Sequence, residues 1–323
     1  MNAFTIAFNA VLPIFLMIVL GFGAKSLGVI NQDFVNQATR FVFRISLPVL
    51  IYRKVSAIDL SESFEVSQVH LMVFCFIGII VGYFIAKGLA RFVVKDPMSK
   101  NGYVTGTFIL GCSRSNYVII GYPVLLNLFG DAVVVNMALV TLMVIPIFNV
   151  LAIIALTPPD KHNGIAKFKE ISLNIIKNPL IIALVFGFIT AELELTFPRA
   201  IDGFLAMVAG LATPLALVAI GAFFHFDGFR ETISLAGAVT FIKLLLLPAI
   251  MTTAAYLIGL EPMNIILVGV LFGGPTSVSS FAMSSELGGD PVLAGNIIIL
   301  TSGLCAFSYM LVITVWLSIL GIA

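Results

Sequence analysis

Long apolar runs divided by short polar or Gly/Pro breaks constrain this chain more than any other feature of its sequence. A helix needs about 20 apolar residues to cross a hydrocarbon layer roughly 30 Å thick. Counting such runs predicts ten spans, at 4–25, 34–52, 68–92, 101–129, 132–156, 172–191, 199–223, 232–259, 262–287 and 291–321. The second is interrupted by Arg40 and Arg44. Of 323 residues, 60% are hydrophobic and 10% charged, outside the range of soluble domains. The expected fold class is therefore an all-α polytopic membrane protein. The opening stretch "MNAFTIAFNAVLP" has no basic n-region, so it reads as a retained first span and not as a cleaved signal.

Several function classes fall away on composition. A net charge of +1 with no charged tail offers nothing to nucleic acid. His70, His162 and His225 are scattered, and no HExxH run, nucleotide-binding loop or cofactor motif is present, so neither an enzyme nor an ATP-driven pump is expected. Cys75, Cys112 and Cys305 fit neither a metal site nor a disulfide framework and read as packing residues. Every Glu and Asp near a span lies close to its end, which disfavours an antiporter that carries protons on a buried carboxylate.

The longest polar connection, "TPPDKHNGIAKFKEISLNIIKN", divides the chain into two matching parts. A shift of 166 residues brings Pro13 onto Pro179, Gly21 onto Gly187, Phe22 onto Phe188 and Pro48 onto Pro214; a shift of 159 brings Gly130-Asp131 onto Gly289-Asp290. Five spans per half invert the second half relative to the first, which predicts an inverted repeat. The predicted units are residues 1–156, a basic cytoplasmic linker at 157–171, and residues 172–323. Cytoplasmic loops carry the excess of Lys and Arg. With the N-terminus outside, the inner ends hold ten cations (Lys25, Lys87, Arg91, Lys95, Lys100, Lys161, Lys167, Lys169, Lys177, Arg230) and the outer ends three (Arg53, Lys54, Arg199). Both termini are accordingly expected outside.

Two spans contain breaks. Under the 159 offset, "GCSRSNYVIIGYP" aligns Asn116 with Pro275 of "GGPTSVSSFAM", and Gly111, Gly273, Gly274 and Pro275 are the predicted helix breakers. Taken singly, each break reads equally well as a locally repaired kink. Paired interruptions at matching depth instead point to a transporter site, because irregular backbone at mid-membrane must be enclosed or line a wet cavity. Crossed at their breaks, the fourth and ninth spans would present helix N-termini near Asn116 and Thr276, which suit an anion. They would also present helix C-termini near Cys112 and Phe272, which attract a cation.

"SRSNYVIIGYPVLLNLFGD" and "GGPTSVSSFAMSSELGGDPVLAGNII" resemble the fourth and ninth spans of the auxin efflux carrier family, which includes plant PIN-type exporters and bacterial permeases. "RFVFRISLPVLIY", "NPLIIALVFGFIT" and "LATPLALVAIGAFF" resemble its second, sixth and seventh spans. The resemblance implies ten helices in two inverted five-helix repeats, with helices 4 and 9 crossing at the substrate site. It further implies a scaffold of helices 1, 2, 6 and 7 that carries a homodimer contact, and a moving unit of helices 3–5 and 8–10. The substrates it implies are small organic anions, malonate, malate or auxin-like acids, carried across the cytoplasmic membrane without a cofactor. Where plant members have a proline before the Asn, this chain has Ser115, and their long cytoplasmic loop is replaced by the short segment after Pro159. A sodium-coupled symporter of the bile-acid type and a non-transporting sensor are the competing readings.

Arg114, Ser115, Asn116, Pro275, Thr276 and Ser277 are the expected substrate-binding residues. Arg114 fits two roles, a clamp on a substrate carboxylate or a counter-charge to the helix C-termini. Lys243, midway along the eighth span, is read as a second charge-compensating cation at the crossover, paired with a helix C-terminus or a bound anion, or as a side chain that snorkels along its helix. Asn116, Ser115, Thr276 and Ser277 are expected to cap the half-helices. Arg40 and Arg44, one turn apart, are expected to share a polar face turned toward the bundle instead of touching substrate. Pro48 and Pro214 are read as structural kinks.

Overall fold

The computed structural model describes residues 2–57, 66–157, 177, 179–222 and 229–322. Apart from Thr157, the predicted linker with Lys161, Lys167 and Lys169 lies outside the described residues, as do His225 and most of the stretch expected to open the sixth span. The described part is built from helices α1 (Ala3–Ser26), α2 (Gln32–Phe41), α3 (Leu47–Ser56), α4 (Val66–Val93), α5 (Val104–Ser113), α6 (Tyr122–Phe129) and α7 (Val134–Leu156). They are followed by α8 (Pro179–Glu192), α9 (Arg199–Gly210), α10 (Ala212–Ala222), α11 (Phe229–Phe241), α12 (Leu247–Leu257), α13 (Pro262–Gly273), α14 (Ser279–Leu287) and α15 (Pro291–Leu320). Six helical stretches are long and apolar enough to cross a membrane: Ala3–Ser26, Val66–Val93, Tyr117–Leu156, Arg199–Ala222, Glu231–Leu257 and Pro291–Leu320. Shorter apolar helices lie at Val104–Ser113, Pro179–Glu192 and Pro262–Gly273. The chain is a mostly helical, multi-pass membrane protein. The strands among the described residues are limited to a small hairpin, Met98–Ser99 against Gly102–Tyr103.

Local sequence accounts for where these helices start and turn. Asn31 accepts from Phe34 N at 2.9 Å and Asp290 from Leu293 N at 3.0 Å, each side chain capping the helix that follows. Gly130 stands at φ 61°, a conformation that costs a side-chain-bearing residue energy, and it ends α6. Val118 and Val144 then line one cavity, which a straight helix from Tyr117 to Leu156 would prevent. The chain therefore folds back as a hairpin. Wide π-turns at Val42–Ser46, Tyr117–Gly121 and Ile242–Leu246 each run into a helix whose second residue is proline: Pro48, Pro123 and Pro248. Proline has no N–H to give the preceding turn, so the ladder widens there.

Close packing joins α1 to α10 and α8 to α3. A Cβ at Gly21 would fall 2.1 Å from Val218 O, and one at Gly221 would fall 1.8 Å from Ile18 O, so these two backbones touch only because both residues are glycine. Likewise α8 lies on α3 at Gly187, where a Cβ would come within 2.9 Å of Val55 Cβ, and Tyr52 Oη and Thr190 Oγ1 are 3.0 Å apart across the same contact. A second apolar core collects α4, α5, α11 and α15 around Phe108, Leu110, Val239 and Ile297. Gly111 belongs to this packing, since a Cβ there would meet Ile297 Cδ1 at 3.0 Å.

Candidate functional site

Two helices stop at mid-chain and face each other. α5 ends at Ser113 and the backbone turns extended at Arg114 (φ −92°, ψ 115°); α13 ends at Gly273 and turns extended at Gly274 (φ −67°, ψ 152°). The two unwound segments then pair as a minimal antiparallel bridge, Ser115 against Thr276. Asn116 N donates to Pro275 O at 2.7 Å and Ser277 N to Arg114 O at 3.4 Å. Water is scarce at this depth, so backbone groups released from a helix must find partners inside the protein. The bridge supplies them.

Side chains complete the closure. Thr276 Oγ1 donates to Gly111 O at 2.7 Å, Thr301 Oγ1 accepts from Thr276 N at 3.1 Å, and Tyr309 Oη donates to Val270 O at 3.0 Å. Gly274 is enclosed so tightly that a Cβ would sit 2.4 Å from Ser115 Oγ and 2.8 Å from Tyr309 Oη. Its expected role as a breaker is joined here by a steric one.

Beside the first break lies a cavity of about 330 Å³. Its polar wall is formed by Arg44, Arg114, Ser115, Asn116, Asn149, Ser277 and Ser279, and its apolar wall includes Val144, Phe148 and Leu180. Pro275 and Thr276, expected on this wall, lie off it; the Thr276 hydroxyl and amide are both engaged in holding the two helix ends together. Capping does not explain Asn116 and Ser115. Neither side chain caps the turn that follows, and Asn116 Nδ2 and Ser115 Oγ are buried without a hydrogen-bond partner among the described residues. Thr276 and Ser277 do not cap the second break either, but both side chains are bonded: α14 begins at Ser279 with no side-chain cap, Thr276 Oγ1 donates to Gly111 O, and Ser277 Oγ lies 2.9 Å from Ser279 Oγ.

Arg114 spans from the break to α7. Its terminal nitrogens donate to Asn149 Oδ1 at 3.0 and 3.1 Å and to Phe148 O at 3.2 Å, and its buried Nε has no partner among the described residues. These bonds run to α7 and not to the carbonyl ends of α5 and α13. Lys243 occupies the other place. It is 0% exposed in the π-turn before α12, off the cavity wall, within electrostatic reach of Cys112 near the C-terminal end of α5. Complete burial corrects the snorkelling reading. Nζ has no hydrogen-bond partner among the described residues.

Arg44, expected to share a bundle-facing stripe with Arg40, stands on the cavity wall within the π-turn Val42–Ser46, and Arg40 is not on that wall. Asn149 and Ser279 were not anticipated. An Asn three residues after Pro146 in an apolar span was a readable sign, since polar groups within membrane helices are rarely idle. Cys75, Cys112 and Cys305 are buried and free. Among the described residues no three His, Cys, Asp or Glu side chains gather to ligate a metal ion.

Residues 6–313 match the family described as membrane transport protein, that of the PIN-like auxin efflux carriers. The chain belongs to this family. Over 295 residues it is also 23% identical to an uncharacterized transporter of Methanothermobacter thermautotrophicus, a match that covers 91% of this chain and 93% of that one. Membership makes the protein a membrane transporter.

Proposed function

We propose that the protein is a secondary transporter of small organic anions, with carboxylates such as malonate, malate or auxin-like acids as the substrate class. One observation carries this reading: among the described residues, the charged side chains on the cavity wall are two guanidinium groups, Arg44 and Arg114, with no carboxylate. An anion entering there meets positive charge, the unpaired Asn116 Nδ2 and Ser115 Oγ, and a helix start at Tyr117. The cavity volume, near the lower end of the roughly 300–1,000 Å³ typical of ligand pockets, suits a small molecule.

An elevator-type mechanism follows from how the wall is divided. Arg44 and Leu180 come from the elements we assign to the scaffold, whereas Arg114 to Asn116, Asn149 and Ser277 come from those we assign to the moving unit. Support for ten crossings in two inverted halves comes from the glycine contacts: the first predicted span packs on the seventh at Gly21 and the sixth on the second at Gly187, which an inverted repeat would interchange. Residence in the cytoplasmic membrane, external termini and a homodimer through the scaffold complete the proposal.

Uptake and efflux in proteoliposomes, with mono- and dicarboxylates under separately imposed sodium, proton and voltage gradients, test it. Flux of at least one carboxylate that is lost in Asn116→Ala is the expected outcome. Folded protein that moves no anion under any gradient would overturn it.

A further inference from the structure

Arg44 and Arg114 reach the same cavity in different conditions. Two terminal nitrogens of Arg114 are already committed to Asn149 and Phe148. Arg44 is exposed and makes no hydrogen bond or ion pair among the described residues. Five N–H donors without protein partners, at the level of an apolar helix bundle, are sustained only where water or an anion meets them.

The backbone around Arg44 is also unusual. On a regular helix a side chain four residues on returns to nearly the same face, which would place Arg40 and Arg44 together. Arg44 lies within the π-turn Val42–Ser46 and, of the two, stands on the cavity wall. Such turns weaken the local ladder and concentrate at functional sites. Here the widened turn carries a guanidinium of the cavity wall.

Charge then narrows the ligand. Two formal positive charges face one small cavity, with no Asp or Glu among the described residues of its wall. A monoanion engages one guanidinium and leaves the other without a counter-charge, whereas a compact dianion meets both. Building on the anion reading above, we propose that Arg44 is a specificity-determining ligand that opposes Arg114 across the cavity and makes the site selective for small dianions, one carboxylate to each guanidinium. Asn116 Nδ2 and Ser115 Oγ, buried on the Arg114 side, hold the inner carboxylate. Arg44 takes the outer one.

The test compares malonate and succinate with their monomethyl esters, which keep the shape and lose one charge. Binding is measured by calorimetry on the full-length purified protein, for the wild type, Arg44→Gln, Arg44→Lys and Asn116→Ala, with ligand-free melting recorded for each. The wild type is expected to prefer a diacid over its ester by about tenfold or more, a difference of roughly 1.4 kcal/mol. Arg44→Gln should bring that ratio close to one while the ester binds within about threefold of wild type, and Arg44→Lys should keep most of the preference. An unchanged ratio in Arg44→Gln, with binding abolished in Asn116→Ala, overturns the role of Arg44 and leaves the anion reading intact. An equal loss of acid and ester in Arg44→Gln also overturns charge selection. Folded wild-type protein that binds neither acid nor ester overturns the anion reading itself.

Discussion

Arg114 and Lys243 are both cations set in apolar helices, yet the structure treats them differently. Arg114 emerges from an unwound segment, lines a cavity and holds Asn149 and Phe148 through its terminal nitrogens. Lys243 lies inside a helical turn, sealed from solvent, with its amine unbonded among the described residues and the end of α5 beside it. One is a fork held in place on a cavity wall; the other is an amine sealed inside the bundle near Cys112. On the reading proposed above, the first is placed to meet a ligand and the second serves the fold.

The largest effect expected is at Arg114. Arg114→Ala should reduce anion flux by about two orders of magnitude or more, in line with the roughly 2–5 kcal/mol lost when one partner of a buried charged contact is removed. The folded yield, read by size-exclusion chromatography, should remain. If the yield collapses and the surviving protein still binds anions as well as wild type, the contrast with Lys243 fails.

Asn149→Leu comes next, since it removes the acceptor of two of the Arg114 bonds. About a tenfold loss of anion affinity is expected from a guanidinium no longer held in place, together with a melting temperature lowered by the equivalent of about 1–3 kcal/mol for the orphaned donors. Unchanged affinity would show that Arg114 needs no positioning from α7.

Lys243→Met should do the opposite. A buried charge replaced by an apolar side chain of similar length is often neutral or stabilising, by about 1–4 kcal/mol. Thermal unfolding should thus hold or rise, and anion affinity should stay within about threefold. Loss of anion binding with unchanged stability would make Lys243 a ligand and remove the distinction drawn here.

The smallest change is expected at Thr276→Val, which keeps the shape and deletes the hydroxyl bond to Gly111 O. It should lower stability by about 1 kcal/mol and leave affinity nearly untouched. A drop in affinity larger than the drop in stability would return Thr276 to the binding wall.

Much of the site's location was legible along the chain and much of its composition was not. "GGP" announces a break because two glycines and a proline are all poor in a helix, and the structure unwinds there, from Gly274. The first break has no proline, and its helix runs on to Ser113, three turns of apolar packing around Gly111 outlasting the polar run's pull toward water. Capping was the natural sequence reading of Asn116 and Ser115, and it failed because Ser115 is spent in a strand-like bridge to Thr276 that only the crossing segment creates. Asn149 sits 35 residues beyond Arg114 on another helix, a separation at which a sequence names both residues without joining them.

By itself, the sequence determined that this chain lives in a bilayer as packed helices and where those helices falter. Hydrocarbon tolerates no unpaired backbone, so apolar run length and breaker residues leave few alternatives. Which polar groups share the cavity was decided by tertiary structure alone. The packing of the second span set Arg44 on its wall, a hairpin at Gly130 brought Asn149 to Arg114, and Lys243 is buried off it. Each of these depends on the register of a turn or on the meeting of distant segments, and neither is written in the hydrophobic pattern.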